Sequence, residues 1–321
     1  MLVSIVIPCY RSSQSIRAVV GLCSEVFEGL AGYDCEFVLV DDCSPDDTFS
    51  VISQLARERD DVLALTLMRN FGQHNALMCG MNYAHGDLVM GMDDDLQTHP
   101  SQIPVILKKM EEGYDIVYGV YRESANGPLK NLSSWLNKTS AQVLLSRPKG
   151  LETSNFWLIS RAVCDQVIKY KNYNPYVEAL FGRMTNRIGN VTIEHHEREH
   201  GASNYTLGKL VRLWLSYFNY TVLPLRVMST LGAATALAGF LFGIVSLVHR
   251  LLDPGVPMGW TSLICVMLFF FGMVLLALGI IGEYLGDIVL SLNSSPQFIV
   301  REAVSSSREA ASPSREGRQG R

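Results

Sequence analysis

Three carboxylates stand in a row at Asp93, Asp94 and Asp95, directly after the apolar run Leu88-Val89-Met90-Gly91-Met92. A strand that ends in stacked negative charge is costly unless something positive binds there. A hard divalent cation held by oxygen ligands, and shared with the phosphates of a substrate, answers that need. Gln97 follows and offers one more neutral oxygen. The chemistry suggested is metal-assisted handling of a diphosphate. An acidic loop that caps the next helix is the plainer reading, and the triplet taken alone favours it.

The elements around the triplet shift that balance. Residues 1 to about 125 alternate short apolar strands (Leu2–Ile7, Glu36–Val40, Val62–Leu67, Leu88–Met92, Ile116–Gly119) with helical patterns such as Ser15–Leu30 and Asp47–Arg59. Strands alternating with helices predict a doubly wound, mostly parallel α/β sheet, whose ligands bind at the carboxyl ends of the strands. Pro8-Cys9-Tyr10, Asp41-Asp42 and Asp93-Asp94-Asp95 all fall at such ends and should converge. No Gly-x-Gly-x-x-Gly or Gly-x-x-x-x-Gly-Lys-Ser/Thr loop follows the first strand. A bound metal would then neutralise a diphosphate in place of a backbone cradle.

The chain has 321 residues and a formal net charge of −4, too mild for a nucleic-acid binder. Its seven cysteines form no Cys-x-x-Cys pair, which predicts reduced thiols in a cytoplasmic compartment. No secretory signal precedes the first strand. Val227 to Val248 and Trp260 to Gly282 carry no charged residue, and each exceeds the roughly 20 residues that cross a bilayer core. Asp253–Gly259 between them has the composition of a turn. This predicts a transmembrane hairpin over 227–286, with spans at about 227–250 and 260–282. Lys209, Arg212, Arg226, Arg301 and Arg308 place both termini and the domain at 1–206 on the cytoplasmic side. Pro128–Arg147 and Leu207–Leu225 read as amphipathic helices, the second (within 207–226) at the membrane interface. The tail at 287–321 reads as disordered after about 301.

Taken in order, several motifs resemble the family 2 glycosyltransferases of GT-A fold: Ile5–Tyr10, Leu39–Thr48, Arg69-Asn70-Phe71-Gly72-Gln73-His74, Gly86-Asp87 and Met92–Gln97. Glu197–Tyr205 and the paired spans ending in Gly279–Gly286 are similar to the polyprenyl-phosphate glycosyltransferases. The resemblance implies inverting transfer of a sugar from a nucleoside-diphosphate sugar to a polyprenyl phosphate, undecaprenyl phosphate in a bacterium. It implies Mg²⁺ or Mn²⁺, a place in the cytoplasmic membrane, and an oligomer, a tetramer by likeness. Asp42 would accept a hydrogen bond from the base, Tyr10 would stack on it, and Pro8 would shape the pocket. Arg69 and Asn70 would line the donor site, with Asp94 beside them. Asp93 would lie near the ribose and metal, while Asp95 and Gln97 would ligate the ion. Arg198 and Ser203 would meet phosphate oxygens, with Asn204 next to them. Asp95, Arg198 and position 155 are the catalytic candidates.

Two departures stand out. Many relatives carry Ser-Lys-Tyr where this chain has Ser203-Asn204-Tyr205, and an Asp where it has Asn155, with Trp157 in place of a frequent Arg. An Asn cannot act as a general base. A lipid phosphate is already ionised at neutral pH, so such an acceptor needs none. A processive polysaccharide synthase would add a Gln-x-x-Arg-Trp motif and further spans. A non-catalytic nucleotide-sugar-binding scaffold would have no need of Asp93, Asp95 and Gln97. The cluster His195, His196 and His200 lacks zinc-ligand spacing, and His74 is expected to shape the donor pocket.

Overall fold

The computed structural model describes residues 1–121, 151–194, 260–292 and 295–306, and scattered positions between 228 and 244. The described residues divide into two units. The first is built on eight strands: β1 (Leu2–Cys9), β2 (Asp34–Asp41), β3 (Val62–Leu67), β4 (Leu88–Gly91), β5 (Ile116–Tyr121), β6 (Trp157–Ser160), β7 (Ile188–Ile193) and β8 (Val300–Val304). They form one sheet in the order β7-β5-β6-β4-β1-β2-β3-β8. Strands β1 to β4 run parallel, as do β5 and β7, whereas β6 and β8 are antiparallel to their neighbours.

The helices follow from the spacing of apolar residues. In α1 (Ile16–Glu28) the buried side chains are Ile16, Val19, Val20, Cys23 and Phe27, one stripe at helical period. It packs in one core with α2 (Thr48–Glu58) and α4 (Ile103–Glu111). The opposite face of the sheet is covered by α3 (Gln73–Tyr83), α5 (Arg161–Val167) and α6 (Val177–Met184). Helix α3 is buried from Asn75 to Tyr83, so it is apolar nearly all round. Because β1 sends its chain to β2 on one side and has β4 on the other, a crevice opens at its carboxyl end.

Trp157 explains one departure in the sequence. Its side chain is fully buried, and it lies against Gly91, its partner across the β4–β6 ladder. A Cβ on Gly91 would come within 2.2 Å of the indole. Phe181 closes the far side edge-on, with centroids 4.8 Å apart. Position 157 is thus a core position, filled by an indole.

The tail departs from expectation. Disorder was expected after about residue 301, yet Val300–Val304 forms β8 along the edge of β3. Gln297 anchors the approach, donating to the carbonyls of Tyr170 and Asn172 at 2.9 and 2.8 Å. Residues 295–306 therefore belong with the first unit rather than with a separate tail. An uncovered β3 would present a row of unpaired backbone groups, and β8 satisfies them.

In the second unit α7 (Trp260–Leu292) is a single helix of 33 residues. The hairpin itself is not identified among the described residues: its first span is described only at scattered positions and its turn lies outside them. The predicted helices Pro128–Arg147 and Leu207–Leu225 also lie outside the described residues.

Gly91→Ala should lower stability by about 1–3 kcal/mol, because the indole has no room to retreat. Chemical denaturation of the purified protein measures this. A variant as stable as the parent would show that the indole can shift.

Candidate active site

The parallel register of β1 and β2 pairs Cys9 with Asp41, so the next residues, Tyr10 and Asp42, leave the sheet side by side. The register of β4 and β6 pairs Gly91 with Trp157. Continuing that antiparallel ladder two residues brings Asp93 opposite Asn155. The result is a cleft of about 370 Å³ lined by Pro8, Cys9, Tyr10, Asp42, Asn70, Gly72, Gln73, Asp93, Asp94, Asp95 and Asn155. The three polar clusters predicted to converge do so.

Each turn out of the sheet is sharp. Among the described residues, Arg11, Cys43 and Leu96 are the positive-φ residues other than glycine, at 61°, 54° and 58°. They directly follow Tyr10, Asp42 and Asp95. A left-handed conformation at a residue with a Cβ costs about 1–2 kcal/mol. Its repetition after two strand ends and in the loop that follows Asp95, all around one cleft, is the pattern of strain held at a functional site.

Each carboxylate has its own surroundings. Asp42 is buried and accepts the backbone N–H groups of Phe71 and Gly72, at 2.7 and 2.8 Å. Gly72 has φ of 93°, which lets the chain present both groups to one carboxylate. Burial pushes the Asp42 carboxyl up, partly offset by those two bonds. Asp42 thus fastens the loop that carries Asn70, and each of its oxygens retains a lone pair. Asp94 accepts the hydroxyl of Ser12 and the backbone N–H of Tyr10. It ties the segment after β4 to the end of β1.

Asp93 is gripped from two sides by amides. Gln73 Nε2 donates to Oδ1 and Asn155 Nδ2 to Oδ2, both at 2.9 Å. Burial, and then the charges of Asp95, Asp94 and Glu178, push its carboxyl up to about 6, against the pull of the Asn155 bond. An amide at 155 suits this neighbour. A carboxylate there would face Asp93 with a like charge, whereas the amide donates. Asp95 accepts the backbone N–H of Gln97 at 3.1 Å.

The remaining predicted residues are placed as follows. Tyr10 is 47% exposed, with the Arg11 guanidinium over its ring, 5.7 Å from the centroid. Arg69 lies over the ring of Phe71, 4.6 Å from its centroid, and is not among the residues that line the cleft, whereas Asn70 is. Gln97 is half-buried and also outside the lining. Arg198, Ser203, Asn204 and the histidines at 195, 196 and 200 lie outside the described residues. Gln73 and Ser12 were not singled out as site residues, although Gln73 lies inside the quoted Arg69–His74 motif. Glu178 was missed altogether, and an acid inside the apolar segment Tyr176–Phe181 was its only signal.

Among the described residues no group of three or more His, Cys, Asp or Glu side chains is arranged to hold a metal. The donor set is nonetheless hard: carboxylate and amide oxygens, with no Lys or Arg among the described lining residues. A cation such as Mg²⁺ is commonly held by one or two carboxylates and completed by substrate phosphates. Asp93 and Asp95 fit that pattern.

Asp42→Asn should cost about 1–3 kcal/mol, because an NH₂ would replace one acceptor oxygen and confront a backbone N–H. Hydrogen exchange should quicken at the Phe71 or Gly72 amide. Protection unchanged at both amides would refute the fastening role.

Comparison with known proteins agrees with this geometry. Residues 4–168 match Glycosyl transferase family 2. The undecaprenyl-phosphate 4-deoxy-4-formamido-L-arabinose transferase of Edwardsiella ictaluri is 32% identical over 313 residues, covering 94% of each chain. Its counterpart in Proteus mirabilis is 30% identical over 317 residues, again covering 94% of each. Among solved structures, glucosyl-3-phosphoglycerate synthase from Mycobacterium tuberculosis in complex with uridine diphosphate has a TM-score of 0.50 at 18% identity, covering 68% of this chain and 79% of that one. The same enzyme in complex with Mn²⁺, uridine-diphosphate-glucose and phosphoglyceric acid gives 0.50 at 19%, covering 69% and 78%. These last two likenesses concern the fold, the GT-A arrangement of the sheet. With the strand-end carboxylates in one cleft and relatives matched over nearly the whole chain, this protein belongs to glycosyltransferase family 2 and is a glycosyltransferase.

Proposed function

We propose that the protein transfers a sugar from a nucleoside-diphosphate donor to undecaprenyl phosphate, making a lipid-linked monosaccharide for modification of the cell envelope. One observation carries the donor half of this reading: the cleft joins a half-exposed aromatic ring at Tyr10 to a row of carboxylates at Asp93–Asp95. The names of the relatives support the acceptor half.

In this reading the nucleoside lies at the Tyr10–Asp42 end and the diphosphate near Asp93 and Asp95. Mg²⁺ or Mn²⁺ held by Asp93 and Asp95 would neutralise the diphosphate and help it depart. The chain's own contribution is placement. Gln73 and Asn155 hold the Asp93 carboxylate in one orientation. Asp42 and Asp94 hold the loops on either side. Asn155 moves no proton, and none need be moved, since a lipid phosphate arrives ionised. Attack from the face opposite the diphosphate inverts the anomeric centre.

The membrane assignment belongs to the same proposal. At about 1.5 Å per residue α7 is longer than a bilayer core of about 30 Å. Its apolar side chains are exposed along its length, among them Leu263, Phe271, Leu275, Leu278 and Leu285. Such a helix suits lipid far better than water. We place the protein in the cytoplasmic membrane as a multi-pass chain, with the catalytic domain and both termini cytoplasmic. An enzyme confined to the bilayer of its acceptor loses less entropy on meeting it.

Purified protein given Mn²⁺, radiolabelled nucleotide sugars and undecaprenyl phosphate should form a labelled lipid. Nucleotide binding without any labelled lipid would favour the scaffold, and a polymer product the polysaccharide synthase. Asp95→Asn should lower transfer by at least about 100-fold with its unfolding temperature unchanged; full turnover in that variant would remove the metal role.

Acidity gives a second test. The Asp93 carboxyl is raised to about 6, so protons compete with a cation there as pH falls through that value. Mn²⁺ affinity should therefore rise with pH through about 6. Asn155→Ala removes a bond that favours the ionised form and should move the midpoint to higher pH. Mn²⁺ titrations between about pH 5 and 8 read this, and a midpoint that stays put in the variant would count against the Asn155 bond.

A further inference from the structure

Behind the cleft lies a carboxylate that the mechanism above leaves without a task. Glu178 on α6 is 6% exposed, and its Oε2 has no hydrogen-bond partner. Nδ1 of His74, on α3, faces it at 3.6 Å, and that nitrogen is also buried without a hydrogen bond. The His74 side chain as a whole is nevertheless 35% exposed. The open part of the ring is therefore its other edge, which carries Nε2. Tyr176 meets the imidazole at 84° with centroids 4.9 Å apart, so the ring is set by a carboxylate and an aromatic wall together.

A carboxylate beside Nδ1 selects a tautomer. Facing Nδ1 at 3.6 Å, it favours the neutral form with its proton on Nδ1, which leaves the lone pair on Nε2. The pair also has a definite place. His74 follows Gln73, whose amide holds Asp93, and the charge of Glu178 reaches Asp93. In the sheet, Asp42 and Tyr10 follow β2 and β1, while Asp93 and Asn155 flank β4 and β6. With the nucleoside at the first pair, the second pair marks the sugar end; His74 and Glu178 are not among the residues that line the cleft, but Gln73, the residue before His74, is.

We propose that His74, oriented by Glu178, determines donor specificity by accepting a hydrogen bond through Nε2 from a hydroxyl or amide N–H of the donor sugar. This rests on the donor site proposed above. An acceptor fixed in place discriminates strongly against a sugar that has no donor to offer it.

The test separates the sugar from the nucleotide. Calorimetry on the full chain in detergent with Mn²⁺ would compare UDP, GDP and dTDP with UDP-glucose, UDP-galactose, UDP-N-acetylglucosamine, GDP-mannose and dTDP-glucose. The readout is the affinity gained when the sugar is attached. In the wild type at least one conjugate should gain. His74→Ala should cut that gain about 10-fold and leave binding of the bare nucleotide unchanged. Glu178→Leu should do the same, with no further loss when combined with His74→Ala. Glu178→Gln keeps a carbonyl oxygen facing Nδ1 and should retain most of the gain. His74 is partly exposed, so its variant tests the proposal even if Glu178→Leu fails to fold.

A gain unchanged in His74→Ala overturns the proposal. So does a gain absent from every wild-type conjugate, a loss shared equally by bare nucleotides, or losses that multiply in the double variant. If the wild type binds no nucleotide at all, the donor-site reading itself falls, an outcome distinct from these.

Discussion

Crowded negative charge at the end of β4 is the constraint around which the cleft is built. Asp93, Asp94 and Asp95 are consecutive, and Asp93 is pressed further by burial and by Glu178. Like charges so close together raise one another's cost of ionisation. The fold does not answer with cations among the described lining residues. It supplies hydrogen-bond donors instead: the amides of Gln73 and Asn155 for Asp93, and the Ser12 hydroxyl with the Tyr10 N–H for Asp94. The carboxylate and amide oxygens gathered there form a hard donor set.

The loops obey the same constraint. Donors can reach the carboxylates only if the chain turns sharply as it leaves each strand, and Arg11, Cys43 and Leu96 adopt left-handed conformations to do so. The strain is repaid by the bonds it permits, such as those of Asp42 to Phe71 and Gly72. The cleft is therefore a network in which carboxylates fasten loops as well as face a ligand. A substitution at one of them alters the position of the others, so activity losses there need not measure ligand contact alone.

Far from the cleft, the edge of β3 shows how a distant segment supports the site. Strand β8 covers β3, and the carbonyl of Ile299 takes the N–H of Met68, just before Arg69 and Asn70. The tail was misread because its composition after Val304 is polar, and that average hid five residues whose partner lies more than two hundred positions upstream. Composition reports what a segment prefers alone, and an edge strand is stabilised by what it pairs with.

The sequence by itself determined the alternation of strands and helices, the clusters at the strand ends, and the reading of Tyr10, Asp42 and Asp93–Asp95 as one site, because periodicity and strand ends are local properties. It also held the motif that contains Gln73. Tertiary structure alone decided which side chain faces which. The register of β6 against β4 set Asn155 on Asp93 and buried Trp157 against Gly91. The packing of α6 beside α3 brought Glu178 to His74. Pairings of this kind depend on strand register and helix approach, which are fixed by contacts between residues far apart in the chain, and no local pattern encodes them.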